Sequence, residues 1–157
     1  MSDTDIDNEL KAEQAVVISE VADKIAESAR TRALNWGSQR IRKAIEVSGI
    51  VEWQGGLGMY IKVNKSVAPQ AEAFEHGAAP HSIDAKNSDY LIFEGTNEFD
   101  GQTIRTEHVN HPGIQPRPFM KPAFDEYREY ANQQFRAAGL RSISRVIRDS
   151  WNKGGGK

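Results

Sequence analysis

Pro69-Gln70-Ala71-Glu72-Ala73-Phe74-Glu75-His76-Gly77 opens the stretch whose reading decides the fold. Tyr90-Leu91-Ile92-Phe93, His111-Pro112-Gly113 and Pro118-Phe119-Met120-Lys121-Pro122-Ala123-Phe124 complete it. All four histidines and all six prolines of the chain fall between residues 69 and 126. Pro69 suits a first helical turn, where its missing N–H has no partner to lose. With Ser66 as cap and Gly77 as terminator, it predicts a short helix over 66–76. Tyr90-Leu91-Ile92-Phe93 reads as a core strand. Across a turn at Asp100-Gly101, residues 102–109 read as the returning strand, whose polar alternation suits an edge. Residues 110–118 form a proline–glycine loop. Pro122 then opens a helix, with Asp125 and Glu126 in its first turn opposing the helix dipole, and Phe119 and Phe124 are expected to anchor its start in the core. Gly139 is placed to end it.

Upstream, residues 1–8 read as a flexible acidic lead and residues 9–45 as a helical arm. Val17, Val21, Ile25, Ala29 and Ala33 recur there every fourth residue. So thin a stripe of small residues anchors a helix weakly, which makes Val17, Val21 and Ile25 candidates for an interface with a neighbouring copy. Asn35-Trp36-Gly37-Ser38 is expected to kink or break the arm. Residues 49–54 and 59–64 read as a hairpin reversing through Gly55-Gly56-Leu57-Gly58. That glycine run lacks the Lys-Ser/Thr pair and the following helix of a phosphate-binding loop. Downstream, residues 140–151 form a second amphipathic helix, with Leu140, Ile143, Ile147 and Trp151 on one side and Arg141, Arg145 and Arg148 on the other. Residues 152–157 read as a flexible tail. The order predicts an α+β fold in one domain over 9–151: a long N-terminal helix, one antiparallel sheet of about four strands with a short intervening helix (the core, 49–138), and C-terminal helices.

Composition bounds the function. The chain has 157 residues, is 38% hydrophobic, carries a net charge of -2 and contains no cysteine. Disulfides, cysteine nucleophiles and thiolate metal sites are excluded, and a reducing compartment suits the chain. No apolar run is long enough to span a bilayer, and the acidic start does not read as a signal peptide. Residues 1–29 hold eight acids against Lys11 and Lys24, whereas residues 136–157 hold six bases against Asp149. Such opposed ends suit head-to-tail contacts between copies, or else two solvated surfaces. The arginine stripe with Trp151 also offers a grip on nucleic-acid phosphates. His76, His81, His108 and His111 invite a metal-dependent hydrolase, although neither pair has the His-Glu-x-x-His spacing that sets two imidazoles beside a base. No Gly-x-Ser-x-Gly elbow is present.

The opening stretch resembles the gene-ten-type tail-component family of lambdoid long-tailed bacteriophages, which are neck or tail-completion proteins at the head–tail junction. The resemblance rests on Ala71, Phe74, Glu75 and Gly77; on Leu91 and Phe93; on His111, Pro112 and Gly113; and on Pro118, Phe119, Pro122 and Ala123, in the family's order and spacing over about residues 59–138. It implies a structural virion protein, made in the host cytoplasm, rather than an enzyme, with no cofactor and no membrane. It further implies a homo-oligomeric ring of six- or twelvefold symmetry between head connector and tail tube, its partners being adjacent neck or connector proteins, the tail terminator or tube, and genomic DNA in the channel. The motif residues would then be structural, and Val17, Val21, Ile25, Arg141, Arg145, Arg148 and Trp151 would form contact surfaces.

Overall fold

The computed structural model describes residues 3–53, 56–94 and 101–154. The fold is α+β, built from helices and short antiparallel ladders. The chain divides into two compact units, residues 1–71 with 118–157 and residues 72–117, where the sequence predicts one domain.

The first unit is dominated by two long antiparallel helices, α1 (Asp3–Asn35) and α4 (Met120–Gly154). At 1.5 Å per residue each is about 50 Å long. α1 begins at Asp3, within the expected flexible lead. Its buried stripe runs Val17, Val21, Ala22, Ile25, Ala26, Ala29 and Ala33. On α4 the matching buried positions are Ala123, Ala138 and Ser142. Small side chains on both helices let the backbones approach closely, so the seam gains from packing rather than from large apolar area.

α1 stops as the sequence predicts. Gly37 takes a φ of 77°, its amide donates to the Leu34 carbonyl at 2.8 Å, and the Ser38 amide donates to the Ala33 carbonyl at 3.0 Å. These paired bonds past a left-handed glycine absorb carbonyls that the helix end leaves unpartnered. The Ser38 hydroxyl then caps α2 (Gln39–Ala44) by accepting from the Ile41 amide. Ile41 and Ala44 are buried, and Arg30 of α1 donates to the Ile45 carbonyl at 3.0 Å.

A β-ribbon follows. β1 (Ile45–Val47) pairs with β4 (Ile61–Val63), and β2 (Val51–Trp53) pairs with β3 (Gly56–Gly58). The register slips by one residue between the two ladders, because Ser48, Gly49 and Ile50 on one strand face Met59 and Tyr60 on the other. This is a β-bulge. There the Tyr60 amide donates to the Ser48 hydroxyl at 2.7 Å, so a side chain takes over a ladder bond. Gly56 and Gly58 are strand residues rather than turn, and Gln54 and Gly55 lie outside the described residues.

The second unit is also a single interrupted ribbon. After α3 (Ala71–His76), whose first residue ends the first unit, β5 (His81–Asp84) pairs with β8 (His108–His111), and β6 (Leu91–Glu94) pairs with β7 (Thr103–Thr106). The bridge Ala78–Ile114 and the bond from the Ala85 amide to the Glu107 carbonyl extend the first ladder in the same register. Residues 86–90 are then an insertion on one strand, and β6–β7 resumes beyond it. Among the described residues, the one sheet of about four strands is therefore corrected to four two-stranded ladders in two ribbons. The expected return strand over 102–109 is split at Glu107, and its two halves pair with different partners. Asp100 of the expected turn lies outside the described residues, as do residues 155–157.

α4 corrects a further expectation. It passes through Gly139 without a break, takes in the expected second helix over 140–151, and extends through residues 152–154 of the expected tail. Gly139 has no positive φ, and a Cβ added there would meet nothing within 4 Å. Gly139→Ala therefore raises stability by about 0.5–1 kcal/mol, the ordinary helix-interior difference between the two residues. A thermal melt followed by circular dichroism checks this. A fall in melting temperature would mean that the helix ends at Gly139 after all.

Candidate functional site

Two places gather the residues that the sequence singles out: the base of the second ribbon, and the outward face of α4.

The ribbon base brings together two separate motif segments. Gly77 ends α3 with a φ of 79°, and Gly113 has a φ of 85°. Between them Ala78 and Ile114 exchange both backbone bonds, at 2.9 and 2.8 Å. A Cβ on Gly77 would sit 2.9 Å from the Ile114 carbonyl oxygen, and one on Gly113 would overlap the Ala78 carbonyl oxygen and crowd the Pro80 nitrogen at 2.9 Å. Each glycine is thus required twice over, by its backbone angle and by the opposite strand's approach. One step along, His81 stacks on His111 with ring centroids 5.1 Å apart. His81 Nδ1 donates to the Ala79 carbonyl, which can only accept, and His111 Nδ1 accepts from the Gly113 amide at 3.1 Å. The Arg117 amide closes the base by donating to the Phe74 carbonyl at 2.7 Å, and its guanidinium lies 5.9 Å from the Phe74 ring centre. Glu75 sits half-buried in the last turn of α3, and Pro112 is exposed beside Gly113.

Beyond the base the ribbon is uncovered. Among the described residues, none between Glu72 and Arg117 is buried. Leu91 and Phe93, expected in a core strand, instead share a hollow of about 330 Å³ with Ile83, Ile92, Val109 and His111. Ile92 is 68% exposed and Phe93 39%. The Arg105 guanidinium covers the Tyr90 ring at 3.9 Å. The strand over His81–Asp84 is absent from the sequence reading, since one isoleucine among polar residues gives no alternation to detect.

The remaining motif residues belong to the first unit. Phe119 is 1% exposed and anchors the start of α4 as expected, beside buried Ala123. Phe124 does not join it, being 43% exposed. Pro118 precedes the helix and Pro122 lies in its first turn.

The suspected contact residues are redistributed. Val17, Val21 and Ile25 are buried in the first unit, inside α1's own seam rather than on a free surface. Arg145 reaches Glu13 at 2.7 Å and Glu9 at 4.0 Å, and Arg141 reaches Glu13 at 3.6 Å. The opposed charged ends thus meet within one chain, because antiparallel helices set the acidic start of α1 beside the basic end of α4. Further along the seam Tyr130 donates to Glu20, which raises the phenol's pKa. Glu126 accepts from Ser28 at 2.6 Å and from Arg32 at 3.0 Å. Arg148 is exposed, and the side chains of Ile147 and Trp151 fall outside what is described. With Arg141 and Arg145 turned onto α1, this part of α4 shows the opposite side outward: Leu140 is 67% exposed and Ile143 57%.

His76 closes α3, and His108 pairs across the ribbon with Asp84. Among the described residues no group of three or more His, Asp or Glu side chains is placed to hold a metal ion, and no helix is long and apolar enough to cross a membrane. No family model, no curated protein and no solved structure matches the chain.

Gly113→Ala forces an alanine into the left-handed region, at about 1–2 kcal/mol, and adds the overlap with Ala78. Limited proteolysis of this variant is expected to cleave within residues 77–117 much faster than wild type while the helical signal persists. Gly101→Ala, with open space around its Cβ, carries the backbone strain alone and opens the ribbon less. Equal protection of Gly113→Ala and wild type would contradict the geometry.

The seam also predicts a pH dependence. The Ser28 hydroxyl, then the Arg32 guanidinium, hold Glu126 below its ordinary 4.5. The Lys11 ammonium does the same for Glu52 of β2 at 2.6 Å. A carboxylate depressed in the folded state adds stability that is fully present above 4.5 and is lost as pH falls through the lower folded value. The melting temperature therefore drops as pH is lowered below 4.5, and Glu126→Gln makes the drop shallower. Identical slopes for variant and wild type would remove Glu126 from the account.

Proposed function

We propose that this protein is a structural component of a tailed bacteriophage virion, a tail-completion or head–tail joining protein that assembles as a homo-oligomeric ring between head connector and tail tube. The observation that carries this reading is the uncovered ribbon. A two-stranded ribbon none of whose described residues is buried is at best marginally stable in water by itself, which suits a surface contributed by another molecule. The convergence of Gly77 and Gly113 supports the motif resemblance, since two distant parts of the motif meet and each glycine has a conformational reason to be there. The reading assigns these residues to architecture and requires no catalytic group and no cofactor. Its neighbours in the virion are connector and tail proteins, with genomic DNA passing through the ring.

The nucleic-acid reading of the arginine stripe is less well supported, because Arg141 and Arg145 already face Glu13 and Glu9 at close range. A phosphate would have to displace these carboxylates to be held by both arginines.

Deletion of the gene from the phage is expected to leave filled heads and separate, complete tails in negative-stain images of infected cells, with infectivity restored by the gene in trans. Infectious particles with tails attached in the deletion mutant would overturn the reading.

A further inference from the structure

We infer that the ribbon of the second unit is an arm that lies, in a second copy of this chain, over the Leu140–Ile143 face of α4. The inference rests on the ring reading above and names the contact that would build it.

Among the described residues, two exposed apolar surfaces fit one another. One is the hollow on the ribbon, with Ile83, Leu91, Phe93 and Val109 on its walls. The other is the pair Leu140 and Ile143, three residues apart on α4, on the side away from the buried Ala138 and Ser142. A hollow of about 330 Å³ accommodates aliphatic side chains projecting from a helix, and two adjacent knobs are what α4 presents. Exposed apolar groups of this size and contiguity mark interaction sites.

Charge complementarity makes a second copy of this chain a fitting occupant. Residues 72–117 carry eight acids against three bases, a net of -5, and residues 136–157 carry six bases against one acid, a net of +5. Asp84 and Glu94, both exposed, follow Ile83 and Phe93 on the ribbon, while Arg136 and Arg148 are exposed before and after the Leu140–Ile143 knobs. Arg141 and Arg145 are turned onto α1, so Arg136 and Arg148 are the arginines of this segment left to meet an acidic arm. Opposite potentials around matched apolar centres steer docking and set its register. A contact between two different surfaces of one chain is heterologous, and repeated around an axis it closes into a ring.

The chain has no cysteine, so paired single-cysteine variants give an unambiguous test. Ile92→Cys and Leu140→Cys replace exposed side chains and leave the buried seam untouched. The two full-length variants, differently tagged, are mixed and oxidised, and their mass is followed by light scattering. A mixed disulfide between the two tags is expected in excess over either self-disulfide, and it is expected to disappear when Ile143→Asp is added to the Leu140→Cys chain. Self-disulfides alone would mean a two-fold contact and overturn the inference. A double variant that closes its disulfide inside one chain, without mass increase, would overturn it too. A ring-sized oligomer lacking the mixed disulfide removes this contact and leaves the ring reading standing. A monomer with no disulfide removes the contact and the solution ring together, the virion assignment then resting on the deletion phenotype.

Discussion

The antiparallel register of α1 and α4 is the constraint on which the first unit depends. Two helices about 50 Å long meet along a seam rich in alanine, and its alanine stretches pack well in more than one register because alanine is nearly featureless. Charge removes the ambiguity. From Glu9 and Glu13 through Glu20 to Ser28 and Arg32 on α1, the partners run steadily back along α4 from Arg145 and Arg141 through Tyr130 to Glu126. A shift by one helical turn would put Glu13 and Arg145 out of step and strand polar groups against alanine. Each pair contributes little by itself, but together they single out one alignment from several of similar packing energy.

This use of charge explains why sequence alone offers Val17, Val21, Ile25, Arg141 and Arg145 as a free surface, whereas the structure turns them onto the seam of the two helices. An acidic start and a basic end look the same whether they meet in one chain or between two, since sequence carries the signs and not the path. The path turned on Gly139. Read as a helix end, it detaches residues 140–151 and frees their arginines; read as a helix-interior glycine, it carries them onto Glu9 and Glu13. A helix-interior glycine costs only about 1 kcal/mol against alanine, and the ion pairs and buried Ser142 beyond it supply an offset of that order.

Elsewhere legibility followed how local the cause was. The break at Asn35–Ser38, the turn at Gly77 and the burial of Phe119 each depend on a few neighbouring residues, and all were legible. The ladders were not. The one-residue slip at Ser48–Ile50 and the insertion at 86–90 are set by pairing across the ribbon, and a register change of this kind leaves no trace in the alternation of either strand. The apolar run Tyr90-Leu91-Ile92-Phe93 reads as core because hydrophobicity states a need for cover without saying which molecule provides it.

That last point bears on what the ribbon base is for. Gly77 and Gly113 hold the two strands closer than any side chain allows, and the His81–His111 stack and the Arg117–Phe74 bond add order at the same end. A ribbon none of whose described residues is buried gains little stability from so exact a base, because the strands beyond it remain free to separate. The base makes better sense as a device that aims the ribbon. Strands fixed at one end meet a partner surface already in register, which lowers the entropy lost on docking. Under the proposed reading the motif residues are then selected for the direction of an arm, and the energy of assembly comes from apolar side chains further along it.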